Sequence, residues 1–242
     1  PLDENRLRRE KSYHYLKFPK QNPAPHFTVK HFAGPVDYCV GELTERNADT
    51  IHPQLVELLN PSQESLVLDL AAGSGDITKL IKEKNCNCIA YDENIDMLNE
   101  AKKKLANYQV DFVNGTAENL PFQNSSFDFV IASFGIRNFS DMETALIEIN
   151  RILKKKGKFL CLEFSEVNNP VLRKVIKFYY KVIPRYGKFF VNNKLAYSYL
   201  IKSIEEFPNQ IQFTKKLKKT HFKNIKVIDI LDGVASIHIS EK

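Results

Sequence analysis

The sequence predicts an α/β fold: a mostly parallel sheet flanked by helices and closed at the end of the chain by an antiparallel hairpin. Three observations predict it. From Leu66 onward, short apolar runs alternate with segments of helical period, the pattern of successive strand-helix-strand units. The first strand runs straight into the turn Ala71-Ala72-Gly73-Ser74-Gly75-Asp76 and from there into a helix. The chain finishes with two strand-like runs separated only by Leu231, Asp232 and Gly233.

The elements follow in order. Leu66 to Leu70 is a buried strand, Asp76 to Lys84 a helix, Cys88 to Tyr91 a second strand and Ile95 to Asn107 a lysine-rich amphipathic helix. Val110 to Val113 supplies a third strand and Phe127 to Ala132 a fourth. Met142 to Leu153 is a helix, and Lys158 to Phe164 a strand that starts after the turn residue Gly157. From about residue 168 to 213 the βα alternation stops. This stretch is rich in Tyr, Phe and Lys, contains Pro184 and Pro208, and reads as a helical insertion. Ile225 to Ile230 and Val234 to Ile239 form the closing hairpin. A parallel sheet that ends this way is the seven-stranded arrangement of methyltransferases rather than that of an ordinary dehydrogenase. The folded domain is read as residues 61–242, with residues 1–60 as a separate segment.

Composition bounds the alternatives. Hydrophobic residues make up 43% and charged residues 26% of the chain, near the averages for globular domains, so neither disorder nor a fibrous class is indicated. No run approaches the roughly 18 apolar residues of a membrane-spanning helix, and the charged start lacks the apolar run of a secretory signal. A chain that begins at Pro1 leaves a removed targeting segment open. Cys39, Cys86, Cys88 and Cys161 show no metal-ligand spacing and read as reduced thiols; no metal is expected. The net charge of +6 and pI near 9.0 fit attraction to nucleic acid or to an anionic membrane. However, the lysines fall in short clusters, 102–104, 154–156 and 215–219, on predicted helices or their ends, where they read as solvated faces, and no nucleic-acid partner is expected.

The chemistry concentrates at the strand ends. Gly73 and Gly75 lack Cβ, so the backbone can turn sharply and let a ligand approach, while the following helix presents free amide donors. Asp92 ends the second strand, 17 residues beyond Gly75, where a carboxylate can accept both hydroxyls of a ribose. A dinucleotide site asks for a third glycine, and that place holds Thr78, which disfavours pyrophosphate. Asp69 and Asp76 on either side of the loop suit a ligand that carries an ammonium group, such as S-adenosylmethionine; the same carboxylates also fit a purely structural role, capping the helix and tying the loop. The turn Gly115-Thr116-Ala117 can meet an adenine edge. Met97 can cover its face, or belong to the core.

The segments D-L-A-A-G-S-G-D (69–76), A-E-N-L-P-F (117–122), S-F-G-I-R-N (133–138), L-E-F-S (162–165), A-Y-S-Y-L (196–200) and G-V-A-S-I-H (233–238) resemble the ubiquinone/menaquinone biosynthesis C-methyltransferase family. The resemblance runs from about residue 65 to 242. It implies a class I, Rossmann-like fold that binds S-adenosylmethionine through Ser74, Asp92, Thr116, Ala117 and Ser133. Ser74 stands where the family usually has Thr, and Thr116 where it commonly has Asn or Asp. The implied reaction is methylation of a ring carbon of a lipid-tailed quinol. Arg137 is then placed to stabilise the developing phenolate and Asn138 to orient the ring hydroxyl, with Tyr197 and His238 facing the substrate pocket. Structural readings stay open beside these: Arg137 can tie the sheet edge to a helix, and His238 can be a satisfied core histidine. The aromatics Phe178, Tyr179, Tyr180, Phe189 and Phe190 fit either an entry for an isoprenoid tail or the inner face of the insertion. The resemblance also implies peripheral membrane association or membership of a quinone-biosynthesis complex. The corresponding place is the bacterial cytoplasm or membrane surface, or the matrix side of a mitochondrial inner membrane. Oligomeric state is not legible. Other phenol or sterol-like acceptors, and a non-catalytic cofactor-binding or scaffold role, compete with this reading.

The family's usual N-terminal cap is not recognisable. Residues 25–59, above all His26 to Tyr38, instead resemble a piece of a myosin motor domain. A motor needs the phosphate-binding loop G-x-x-x-x-G-K-[ST]; the chain has none, so ATP-driven motion is not expected.

Overall fold

The computed structural model describes residues 51–186 and 194–242; side chains at 179–198 are outside the description. Residues 51–59 form helix α1. Then follow β1 (Leu66–Leu70), α2 (Asp76–Glu83), β2 (Asn87–Asp92), α3 (Ile95–Lys104), β3 (Asp111–Asn114), β4 (Phe127–Ser133), α4 (Met142–Ile152), β5 (Leu153–Phe164), α5 (Pro170–Tyr186), α6 (Lys194–Glu206), α7 (Gln210–Lys219), β6 (Lys223–Ile230) and β7 (Ala235–Glu241). A single 3-10 turn, Ile136–Asn138, leads from β4 toward α4.

The seven strands lie in the order β3-β2-β1-β4-β5-β7-β6. β1 to β5 pair in parallel, whereas β7 runs antiparallel between β5 and β6. The expected seven-stranded, mostly parallel sheet with a terminal hairpin is the sheet observed. The strand order reverses beside β1, and ligands of open α/β sheets bind at the carboxyl ends there.

Alternation within the strands makes two apolar faces. Leu68, Leu70, Val130, Phe159 and Cys161 face the side covered by α4 and α7, where Leu146, Ile149, Phe213 and Leu217 are fully buried. Val67, Ile131, Leu160, Leu162 and Ile237 face the side covered by α1 and α2. Strands buried on both faces read as continuous apolar runs, which is why they stand out in the sequence.

Several boundaries move. β5 begins at Leu153, directly after α4, and accommodates the lysine run as a bulge: its register against β4 jumps between Phe127 and Phe129, and Lys156 adopts φ +65°. The insertion ends before residue 213, because α7 starts at Gln210 behind an Asn209 capping box and its Phe213 belongs to the core. The domain edge also moves. Ile51, Leu55, Val56 and Leu59 are buried against the sheet, so the core starts before residue 61, within the myosin-like stretch. The remainder of that stretch, with Cys39, lies outside the described residues. Cys86, Cys88 and Cys161 are buried free thiols, each pushed above the ordinary thiol value by desolvation. Among the described residues no helix is long and apolar enough to cross a membrane.

Leu55 is fully buried in a helix that carries no site residue of the sequence reading. Leu55→Ala should therefore lower the unfolding free energy by about 2–5 kcal/mol in urea melts; a change under about 0.5 kcal/mol would show that α1 is not part of the core.

Candidate active site

The junction after β1 is built by backbone geometry. Ala71, Gly73 and Gly75 all take positive φ, at +59°, +53° and +80°. A Cβ on Gly75 would lie 2.8 Å from the Leu105 side chain, so the first turn of α2 sits against the end of α3 only with glycine there.

Asp92 holds this loop from the end of β2. One carboxylate oxygen accepts from the Gly73 amide at 2.8 Å and the other from the Asn94 amide at 2.7 Å. Burial raises the Asp92 pKa, and those two amides oppose the rise. The Met97 methyl carbon lies 3.3 Å from the place a Gly73 Cβ would take, and Met97 is only partly buried. Of its two readings, the cover over the loop is the one the placement favours. Asn94 caps α3 through the amides of Asp96 and Met97. Gly115 and exposed Thr116 lie beside the same pocket edge, since the Gly115 amide donates to Asp92 O and the Tyr91 hydroxyl to Thr116 O at 2.9 Å. Ala117 is buried.

The carboxylates flanking the loop differ. Asp69 is 1% exposed and accepts from Thr78 Oγ1 at 2.5 Å; desolvation pushes its pKa up to about 7. It ties β1 to α2 from inside, the structural alternative of the sequence reading. Asp76 is more open. Burial would raise its pKa, but Lys104 and Ser74 donate to it, and with the nearby charges of Lys104 and His52 they bring it below the ordinary value. Ser74 Oγ is thereby turned onto Asp76, at 2.7 Å.

The next strand end meets the loop closely. A Cβ on Gly135 would stand 2.4 Å from the Ala71 Cβ, so the turn after β4 can cross the β1 loop only as glycine. Ser133 at that strand end lies 3.3 Å from His52 Nε2. The sequence reading gives His52 no role. It belongs to the stretch set apart as a separate segment, and only the packing of α1 brings it to Ser133 and toward Asp76.

Arg137 is anchored. Its Nη1 donates to both Glu163 oxygens, at 2.8 and 3.1 Å, and to Phe134 O, and its guanidinium lies 5.2 Å over the Phe164 ring. The Glu163 side chain is 1% exposed and that of Arg137 11%. Nε of Arg137 is buried without a partner. Exposed Asn138 accepts from the Tyr199 hydroxyl at 3.2 Å, which joins the turn to α6. Arg137, Met142, Tyr199, Lys202, Ser203, Glu206 and Phe207 line a cavity of about 170 Å³.

One substrate expectation changes and the other falls outside the described side chains. Tyr197 falls on α6 where only the backbone is described, and it is Tyr199, two residues on, that meets Asn138. His238 is not at the site: it is 2% exposed in mid-β7, paired in register with Cys161, and packs edge-on against Phe213 under α7. It is the core histidine of the two readings. Phe178, at 69% exposure, is not on an inner face; the side chains of Tyr179, Tyr180, Phe189 and Phe190 lie outside the described residues.

The groups around the loop suit S-adenosylmethionine: a carboxylate for ribose hydroxyls, a thioether beside the loop, and acidic Asp76 for an ammonium. Residues 49–242 match the family model described as "ubiE/COQ5 methyltransferase family". The ubiquinone/menaquinone biosynthesis C-methyltransferase UbiE of Rickettsia prowazekii (strain Madrid E) is 40% identical over 193 residues, covering 75% of this chain and 78% of its own; that of Rickettsia bellii (strain OSU 85-389) gives the same values. Two solved structures share the fold. A SAM-dependent methyltransferase from Aquifex aeolicus has a TM-score of 0.58 at 14% identity, covering 78% of this chain and 88% of its own. A Haemonchus contortus phosphoethanolamine N-methyltransferase 2, solved with S-adenosylhomocysteine, has 0.61 at 16%, covering 80% and 52%.

Burial holds the His238 pKa below the ordinary 6.5, despite the opposing Gln210 carbonyl and Asp229 charge. The unfolded chain therefore binds a proton that the folded chain refuses, and His238 loses stabilising effect as pH falls through about 6.5. Urea melts at pH 7.5 and 5.5 should show the stability advantage of the parent over His238→Gln shrinking at the lower pH; an advantage that grows on acidification would contradict the burial.

Proposed function

The chain belongs to the ubiE/COQ5 methyltransferase family, and on that premise we propose that it methylates a ring carbon of a polyprenylated quinol in ubiquinone or menaquinone biosynthesis. It is an S-adenosylmethionine-dependent enzyme by that membership. The observation that carries the proposal is the pairing of two neighbouring strand-end sites: the loop clamped by Asp92, and the cavity beside Arg137.

When bound, S-adenosylmethionine supplies a methyl group on a sulfonium, open to in-line attack by an electron-rich carbon. Asp92, Gly73, Met97, Thr116 and Ala117 would hold its nucleoside, and Ser133 and Asp76 its amino-acid end. The cavity of about 170 Å³, open on one side and bordered by Lys202 and Glu206, has room for a single quinol ring. Asn138 and Tyr199 orient the ring hydroxyl. The guanidinium of Arg137 is a poor base, so it serves the reaction by placing fixed positive charge where the phenolate forms. Glu163 positions that guanidinium. The hydroxyl proton leaves to water. A sterol or small phenol as acceptor finds no specific support in the lining of the cavity, and the intact clamp argues against a merely structural role. We place the enzyme at the membrane surface, where a quinol with an isoprenoid tail resides.

Three measurements test this. Incubation with S-adenosylmethionine and a demethylated quinol should give a product heavier by one methyl group on carbon; O-methylation or no product would overturn the assignment. Asp92→Ala should weaken S-adenosylhomocysteine binding by roughly tenfold to hundredfold in calorimetry, the worth of hydrogen bonds to a charged group, and equal affinity would move the cofactor elsewhere. Asn138→Ala, at an exposed position, should lower kcat on the order of tenfold to hundredfold with cofactor affinity unchanged, and an unaltered kcat would remove Asn138 from the acceptor side.

A further inference from the structure

Helix α5 turns its apolar side to the outside. Val171 is 69%, Val175 57% and Phe178 69% exposed. At 3.6 residues per turn these three fall within a sector of about 60°. The opposite side holds the helix to the protein: Arg173 donates from Nε to Val167 O at 2.8 Å and pairs with Glu166 at 2.8 Å. A surface helix ordinarily buries such a stripe and solvates the other side. A stripe left outside marks a surface that meets another body.

The charge on the helix selects that body. Pro170 to Tyr186 contains no Asp or Glu, while exposed Lys174 flanks the stripe and the same helix carries Lys177, Lys181 and Arg185. An apolar stripe on a helix whose charges are all cations is the composition of a helix that lies in an anionic lipid interface. Position agrees with composition. α6 reaches the Ile136–Asn138 turn through Tyr199 and Asn138, and α5 packs on α6, so the stripe lies on the helix next to the one that borders the cavity.

We infer that the outer stripe of α5 docks this protein on an anionic lipid bilayer. The use of docking, delivery of a lipid-tailed quinol, rests on the reading above; the surface itself does not.

The full chain is mixed at physiological salt with sedimentable vesicles of phosphatidylcholine, alone or with phosphatidylglycerol. Wild type should sediment with the anionic vesicles only. V171E/V175E should lose that partition by tenfold or more, and K174Q should weaken it about fivefold, the worth of one cation removed from the interface. Both variants should keep the wild-type circular dichroism and full turnover of a quinol without its tail, and lose turnover of a tailed quinol presented in vesicles. Wild type that stays in solution, or V171E/V175E that sediments like wild type, would overturn the proposal. So would a concentration-dependent dimer that V171E/V175E disperses, since it would assign the face to a second copy. No turnover of the tail-less quinol by wild type would instead count against the methyl-transfer reading and leave the sedimentation result standing.

Discussion

Glu163 places a carboxylate, 1% exposed, at the end of a central strand, and the acceptor side of the protein is arranged around that fact. A buried charge is costly unless it is paired and hydrogen-bonded. Here the pairing comes from Arg137, whose backbone amide and Nη1 both reach Glu163, and from the Phe164 amide at 2.9 Å. Satisfying the carboxylate fixes the Ile136–Asn138 turn, and the turn fixes where Asn138 meets Tyr199 on α6. The cation is thus oriented before any substrate arrives, which is the condition for electrostatic stabilisation without reorganisation. Removing either partner would strand the other in the interior, so substitutions at Arg137 report on folding as well as on chemistry.

The cofactor side is arranged differently, through the backbone. The β1 loop takes three left-handed conformations and leans on the β4 turn at Ala71 and Gly135, where no side chain larger than methyl fits between them. Asp92 then accepts from the Gly73 amide with one oxygen and from the Asn94 amide with the other, and each oxygen keeps a further lone pair. A carboxylate fixed in this way presents acceptors of defined direction to a diol. The carboxylates beside it divide the labour by burial: Asp69 serves the interior and Asp76 the rim.

The two sides share one sheet edge but have different covers. α1, with His52 beside Ser133, closes one side and carries its weight in core packing; α6 meets the other through Tyr199 and Asn138, with the cavity beside it.

The sequence by itself determined the sheet, since strands buried on both faces must be continuously apolar, and it determined the cofactor loop, since a ligand-cradling turn must be made of glycine and small residues adjacent in the chain. Asp92 was legible for the same reason: it ends a strand whose neighbour is fixed by topology. Only the tertiary structure decided the rest. His238 sits in a motif as distinctive as that of Arg137, yet register across β7 sends the histidine under α7, and the hydroxyl that meets Asn138 belongs to Tyr199, to which the sequence reading gives no role. His52 and the other α1 residues carry no local signal, because a helix reveals which stripe is apolar but not which surface the stripe will meet. The partner of Arg137 likewise stood in plain view in L-E-F-S. That it is Glu163 which holds the guanidinium follows from strand pairing in space, which spacing along the chain does not encode.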